Sequence, residues 1–206
     1  MKYLSIDSNL FVKNRNKLVE LMMPGSLAIF NANDIFPTNA DGTMAFRQNN
    51  DLLYLSGIDQ EESILLVFPD APNEKHREIL FLKETNEEIA IWEGEKLTKE
   101  SAFSTSGIKT VYWLKDLNKI LRTLMYEVEK VYLNDNEHLR ADTIVQTRDD
   151  RFRKWCKEEY PLHNYERIAP IMHNLRAVKE PEEIELMQTA CNITAKAVNR
   201  ALKFIK

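Results

Sequence analysis

Between Lys109 and Asn134 the hydrophobic period changes twice, and that change limits the architectures open to the chain. Thr110 to Leu114 is a β-branched and aromatic run, the composition of a strand. Leu117, Ile120, Leu121, Leu124 and Met125 then recur at helical spacing, which predicts a helix over Asp116 to Val128. Val131-Tyr132-Leu133 returns to strand. A strand–helix–strand order is the signature of an α/β sheet layered with helices, because the helix must bury its apolar stripe on the sheet.

The rest of the chain reads consistently with that class. Asn9 to Met23 is an amphipathic helix with apolar positions Leu10, Phe11, Leu18, Leu21 and Met22, stopped by Pro24-Gly25. Ser26 to Asn31 is a buried strand, and the turn-rich stretch Asn33 to Thr43 is a loop. Ile64 to Phe68 and Glu78 to Leu82 are strands close enough for a hairpin-like connection. Ile89 to Trp92 is a further short element before Gly94. Thr98-Lys99-Glu100 starts a helix that Gly107 stops. Asp149 to Glu159 is a charged helix, and Tyr165 to Lys179, with Pro170 inside it, reads as irregular. No internal repeat stands out.

The clearest helix comes last. Glu180-Pro181-Glu182-Glu183 puts a proline and acidic residues in a first turn, where they suit the helix dipole. Ile184, Met187, Cys191, Val198, Leu202 and Ile205 then share a face, and the helix runs to Lys206 without a capping glycine or asparagine. Such a stripe either folds back on the preceding domain or meets a second one. The missing stop signal favours a chain cut where a second domain begins.

Several function classes are excluded. The net charge is -4 with Lys and Arg interleaved among Asp and Glu, so the chain lacks the basic stripe of a nucleic-acid binder. The longest apolar runs, such as Ser63 to Phe68, fall far short of the ~20 residues of a membrane span. Met1 to Asp7 is not followed by the apolar stretch and cleavage site of a secretion signal. Cys156 and Cys191 are isolated, as inert thiols of a reducing compartment would be. His76, His138, His163 and His173 are scattered as surface or turn residues, outside any metal-ligand spacing. Five glycines leave no phosphate loop and no nucleophile elbow. Glu61-Glu62 and Glu87-Glu88, taken as strand neighbours, point to opposite faces and so cannot share a proton or an ion. The residues therefore describe an α/β domain without a self-contained active site: no catalytic residue and no metal ligand is assigned.

Two places are denser. Arg47-Gln48-Asn49-Asn50-Asp51 precedes the aromatic-apolar run Leu52 to Ser56 and Gly57. One of Asn49, Asn50 or Asp51 is expected to cap a short helix that Gly57 ends in a left-handed conformation, with Arg47 in a partly buried ion pair. Trp92, in Ile91-Trp92-Glu93-Gly94, is either a packing anchor or, given the turn suggested by Glu93 and Gly94, a residue facing a ligand.

These residues carry a resemblance. Arg47 to Gly57, followed by the strand through Leu65 and Leu66, resembles the N-terminal domain of aminopeptidase P, in the creatinase and prolidase-like metallopeptidases. Ile89 to Gly94 resembles a later Trp-x-Gly stretch of that domain. Leu175 to Ile184 resembles its junction with a catalytic domain, and Ala190 to Ala197 the first catalytic helix. Glu95 departs from the pattern, since the family commonly carries basic residues there. The resemblance implies a mixed sheet layered with helices over residues 1–174, and a linker and first pita-bread helix over 175–206. It implies a proline-specific aminopeptidase acting on peptides with proline second. Two divalent metals, often manganese, would sit on Asp, His and Glu ligands downstream of Lys206. It implies packing against the protein's own catalytic domain and neighbouring subunits of a homo-oligomer, narrowed access to the active site, a cytoplasmic location, and a substrate-facing Trp92. A prolidase, a creatinase-like hydrolase and a pseudo-peptidase binding module share the same plan.

Overall fold

The computed structural model describes residues 5–140 and 143–205. Met1 to Leu4, at the start of the stretch weighed against a secretion signal, and Lys206, at the end of the last predicted helix, lie outside them. The chain divides into two compact units, Met1–Met172 and His173–Lys206.

The first unit is built on β1 (Ser26–Asn31), β2 (Ile64–Val67), β3 (Glu78–Leu82), β4 (Thr110–Trp113), β5 (Lys130–Leu133) and β6 (Asn164–Arg167). They form a six-stranded sheet in the order β4-β3-β2-β1-β5-β6. β2 is antiparallel to both β1 and β3, and the β3–β4, β1–β5 and β5–β6 pairs are parallel. The sheet is therefore mixed. β4 and β5, consecutive in sequence, are separated in space by β3, β2 and β1, so the helix between them crosses the sheet.

Every residue of β1 and β2 is buried, as in strands covered on both faces. On one face Leu27, Ile29, Leu66, Ile79, Phe81, Val131 and Leu133 pack with Leu121, Leu124 and Met125 of α5 (Leu117–Met125) and Cys156 of α6 (Arg148–Glu159). Burial pushes the Cys156 thiol up to about 12. On the other face α2 (Asn50–Ser56) lies against β1 and β2, with α1 (Ser8–Leu21) and α4 (Lys99–Ser106) beside it. Leu21, expected on the buried face of α1, is exposed.

The expected strands and helices from Ser8 to Leu133 are present, with ends moved by a few residues. Ile89 to Trp92 belongs to a helix, α3 (Glu87–Glu93). Glu87 and Glu88 therefore sit in a helical first turn and Glu61 and Glu62 in a turn, not in strands. Tyr165 to Lys179 is not irregular: it holds most of β6 and then α7 (Ala169–Ala177). Pro170 does not break α7, because a proline near a helix start costs no hydrogen bond. In the second unit α8 (Pro181–Phe204) begins with the Glu180 N–H donating to Glu183 Oε2 at 2.8 Å. Ile184, Met187, Cys191, Val198, Leu202 and Ile205 are all exposed.

One buried cation fastens the α1 side of the sheet. Arg15 is 1% exposed. Its Nε donates to Glu78 Oε1 at 2.9 Å, and its Nη1 to Leu55 O at 2.7 Å and Ser106 O at 3.0 Å. Those carbonyls lie in the last turns of α2 and α4, where the helix dipole favours positive charge. Both helices end alike. Gly57 and Gly107 have φ of 69° and 73°, and Ser56 and Ser106 each turn a hydroxyl back four residues, to Leu52 O and Ala102 O. A Cβ on Gly57 would meet the Phe11 ring at 2.3 Å, and one on Gly107 would meet Val12 at 2.8 Å, so the glycines also let α1 approach. Arg15→Met strands two carbonyls and a carboxylate at once. Urea unfolding should show a loss of about 3–5 kcal/mol; a loss under about 1 kcal/mol would mean that water replaces the guanidinium.

Candidate functional site

The polar segment before α2 folds into a hub. Gln48 is buried; its Oε1 accepts from Asn49 N at 2.8 Å, and its Nε2 donates to Ile58 O at 3.0 Å and Gln60 O at 2.8 Å. Asn49 is the cap: its Oδ1 accepts from Asp51 N at 2.9 Å and Leu52 N at 3.4 Å. Arg47, in contrast, has an exposed side chain and no ion pair among the described residues. Only its carbonyl is used, accepting from Asn33 Nδ2 at 3.0 Å. The buried, ion-paired arginine is Arg15, which no sequence signal singles out.

The hub adjoins the carboxyl ends of β1 and β5, the point where strand order reverses and where open α/β sheets hold their ligands. Asp149, in the first turn of α6, accepts from Asn31 Nδ2 at 2.8 Å through Oδ1 and from Asn49 Nδ2 at 3.3 Å through Oδ2. One carboxylate thus joins β1, the α2 cap and α6. Asn134 Nδ2, just past β5, donates to Asp51 Oδ2 at 3.0 Å. Arg153 pairs with Asp150 at 2.7 Å and with Asp135. Burial, with the charges of Asp51, Asp135 and Asp150, pushes Asp149 up to about 6 against the pull of Asn31. Asn31 Oδ1 is buried without a donor. Nothing in the residue pattern marked Asp149 out, because its partners lie 100 or more positions away.

Trp92 stands apart from this cluster. It sits in the last turn of α3 and is 85% exposed, with Ile91 beside it at 76%. Asn86 Oδ1 caps the helix by accepting from Ile89 N at 2.8 Å. Glu93 is held by Lys83 at 2.5 Å, and that hydrogen bond raises the ammonium's pKa. Trp92 is therefore an apolar surface feature on a tethered helix, not a core anchor. His163 Nε2 lies 2.7 Å from Met125 O. Among the described residues no three His, Cys, Asp or Glu side chains are grouped to hold a metal ion, so this stretch does not fit the metal pair that the resemblance implies. No described helix is long and apolar enough to cross a membrane.

A mixed six-stranded sheet layered with helices is the fold of the N-terminal domain of the aminopeptidase P class. The chain belongs to that family: residues 11–132 match the family described as "Aminopeptidase P, N-terminal domain". Among individual relatives, Xaa-Pro aminopeptidase of Escherichia coli (strain K12) is 30% identical over 195 residues, which is 94% of this chain and 44% of that protein. Xaa-Pro aminopeptidase of Haemophilus influenzae is 26% identical over 90% of this chain and 40% of its own. "Intermediate cleaving peptidase 55, mitochondrial" of Arabidopsis thaliana is 24% identical over 93% of this chain and 36% of its own. The chain thus spans less than half the length of these relatives. Among solved structures, the low-pH form of Escherichia coli aminopeptidase P superposes with a TM-score of 0.75 at 28% identity, covering 96% of this chain and 45% of that one. Pseudomonas aeruginosa aminopeptidase PepP superposes with a TM-score of 0.80 at 23% identity, covering 97% and 45%, and supports the fold. Another Escherichia coli structure is described as zinc-substituted and in complex with product.

The raised pKa of Asp149 has a signed consequence. The folded value of about 6 lies above the ordinary 3.8, so the fold favours the protonated form. The stability linked to that proton is fully present below pH 4 and is lost as pH rises through 6. Relative to Asp149→Asn, the native chain should gain about 1–3 kcal/mol between pH 7.5 and pH 4.5. Parallel urea titrations at the two pH values measure it, and an unchanged difference would refute the assignment.

Proposed function

We propose that this chain is the non-catalytic N-terminal part of a metal-dependent Xaa-Pro aminopeptidase, an enzyme that removes a residue preceding proline. The observation that carries this reading is the Escherichia coli alignment. It covers 94% of the chain and so continues beyond residue 132, where the family match ends. In this reading residues 1–174 are the N-terminal domain and 175–206 are a linker and the first helix of a pita-bread catalytic domain. The apolar stripe of α8 supports that division, because a helix striped in this way needs a surface to cover it. The two divalent metals, manganese, belong to residues downstream of Lys206. When bound they supply Lewis-acid activation of water and carbonyl. This stretch packs against the protein's own catalytic domain and neighbouring subunits of a homo-oligomer and narrows the route to the active site. The enzyme works in the cytoplasm on peptides with proline second. Cell fractionation tests the compartment, with the mitochondrion of the Arabidopsis relative as the competing result.

Two measurements test the reading. Residues 1–206 alone, with manganese added, should leave an Ala-Pro peptide intact, while the protein continued through its catalytic domain should cleave it. Hydrolysis by the isolated stretch would overturn the placement of the chemistry.

Trp92 is the one residue given to substrate in this reading. Its exposure on α3 supports the role, since a tryptophan that buries little in its own domain is open to meet a peptide or a neighbouring subunit. In the full enzyme Trp92→Ala should lower kcat/KM for proline peptides about tenfold, with metal content unchanged. An unchanged kcat/KM with normal oligomer formation would remove Trp92 from the site.

A further inference from the structure

The helix that carries Trp92 is held at its ends and by little in between. α3 has seven residues and buries none of them. A helix this short is marginal in water by itself, so contacts outside it must keep it formed. The segment 84–97 that contains it leaves the end of β3 and returns ahead of α4. At the first root Lys83 Nζ donates to Glu93 Oε2 at 2.5 Å and lies 4.0 Å from Glu62 Oε2, which ties the last residue of α3 to the end of β3. At the second root Lys96 pairs with Glu61, and Leu97 N donates to Gln60 Oε1 at 2.7 Å.

Both roots therefore close on one turn, residues 60–62. Glu61 and Glu62 are neighbours in sequence, yet each carboxylate serves a different lysine. Glu62 has a φ of 53°, a left-handed conformation that is unfavourable for a residue with a Cβ and persists where surrounding contacts over-determine it. Lys96 and Glu61 are 18% and 12% exposed, so their pair is less screened than the one Lys83 makes. Burial raises the Glu61 pKa, but hydrogen bonds to Lys96 and to its own backbone, with the charges of Lys96 and Lys83, outweigh it and hold the group below its ordinary value.

We propose that Lys83 and Lys96 are positioning residues, whose ion pairs to Glu93 and to Glu61 set α3, and with it Trp92, on the domain. The hold on α3 follows from these contacts; its effect on catalysis rests on the reading of Trp92 as substrate-facing. Neither lysine touches substrate. Each acts through the helix, so that the Trp92 ring is already in place when a peptide arrives and less ordering is left to binding.

Hydrogen exchange followed by NMR on residues 1–206 at neutral pH tests the hold. Ala90 N and Gly94 N donate to Asn86 O and Ala90 O, both at 3.0 Å, and report whether α3 is formed. Lys83→Met and Lys96→Met should each speed exchange at these two amides about threefold to tenfold, and the double substitution more than either. Amides of β1 and β2 should keep their native rates, because ion pairs near the surface add little to global stability. Lys83→Arg keeps the cation and should exchange like the native chain. Lys115→Met, which releases Glu84 ahead of the Asn86 cap, should leave α3 unchanged. Native rates in the double variant, acceleration shared equally by β1 and β2, or acceleration by Lys115→Met would each overturn the proposal.

Kinetics of the full enzyme test the consequence. Lys83→Met should raise KM for proline peptides about threefold with kcat unchanged, and Lys83→Arg should restore KM. In a Trp92→Ala background Lys83→Met should add nothing, a non-additivity that a merely structural role would not give. If Trp92→Ala lowers kcat/KM while Lys83→Met leaves KM alone, the positioning role is wrong and the Trp92 reading stands. If Trp92→Ala changes nothing, the Trp92 reading is wrong and positioning for substrate falls with it, while exchange at Ala90 and Gly94 still decides the hold on α3.

Discussion

A guanidinium with no access to water holds the helical layer of this domain to its sheet. Arg15 reaches from α1 to the last turns of α2 and α4 and to Glu78 at the start of β3. Each contact answers a need already present. Helix C-termini leave carbonyls without donors, and their partial negative charge favours a cation. Two helices ended by the same Ser-Gly-Ile sequence, at 56–58 and 106–108, present such carbonyls to one side chain. The left-handed glycines remove the Cβ atoms that would keep α1 away. Burying a charge is tolerable here because the donors facing α2, α4 and β3 are matched by acceptors.

The same logic recurs at the carboxyl ends of β1 and β5. In the dense polar run from Gln48 to Asp51, Gln48 and Asn49 spend their side chains on backbone groups and on Asp149, and Asp51 accepts from Asn134. What resembles a family signature is, in this domain, a device for starting α2 and closing the turn after it. Gln48 and Asn49 are structural because every polar atom they project is answered within the fold or at Asp149. Asp149 differs. Its carboxylate is crowded by like charges and partly withdrawn from water, so its ionisation works against the fold at neutral pH.

Much of the architecture was legible because strands and helices announce themselves by period. Ser26 to Asn31 and Glu78 to Leu82 read true to the residue, and the caps at Thr98, Gly57 and Gly107 followed from local chemistry. Three features were not legible. β6 is short, polar and half-exposed at the sheet edge, so it lacks an apolar signature. α7 hid behind Pro170, whose cost vanishes in a first turn. The ion-paired arginine is Arg15 and not Arg47. Arg47 stands in a conspicuous motif and is exposed, whereas Arg15 has no local signal to distinguish it from any other helix charge. Only the folded chain brings Leu55, Glu78 and Ser106 to it. The order of strands in space was equally hidden, since nothing local says that β4 and β5 end up with three strands between them.

The two cysteines occupy opposite extremes of environment. Cys156 is sealed in the core and stays a thiol to about pH 12, whereas Cys191 stands in the open on α8. Alkylating reagents attack the thiolate, so a maleimide dye or nitroxide will couple to Cys191 while the native fold protects Cys156. Residues 1–206 alone therefore carry a built-in single attachment point for distance spectroscopy, without any engineered substitution, on the face of α8 that the peptidase reading sets against a catalytic domain.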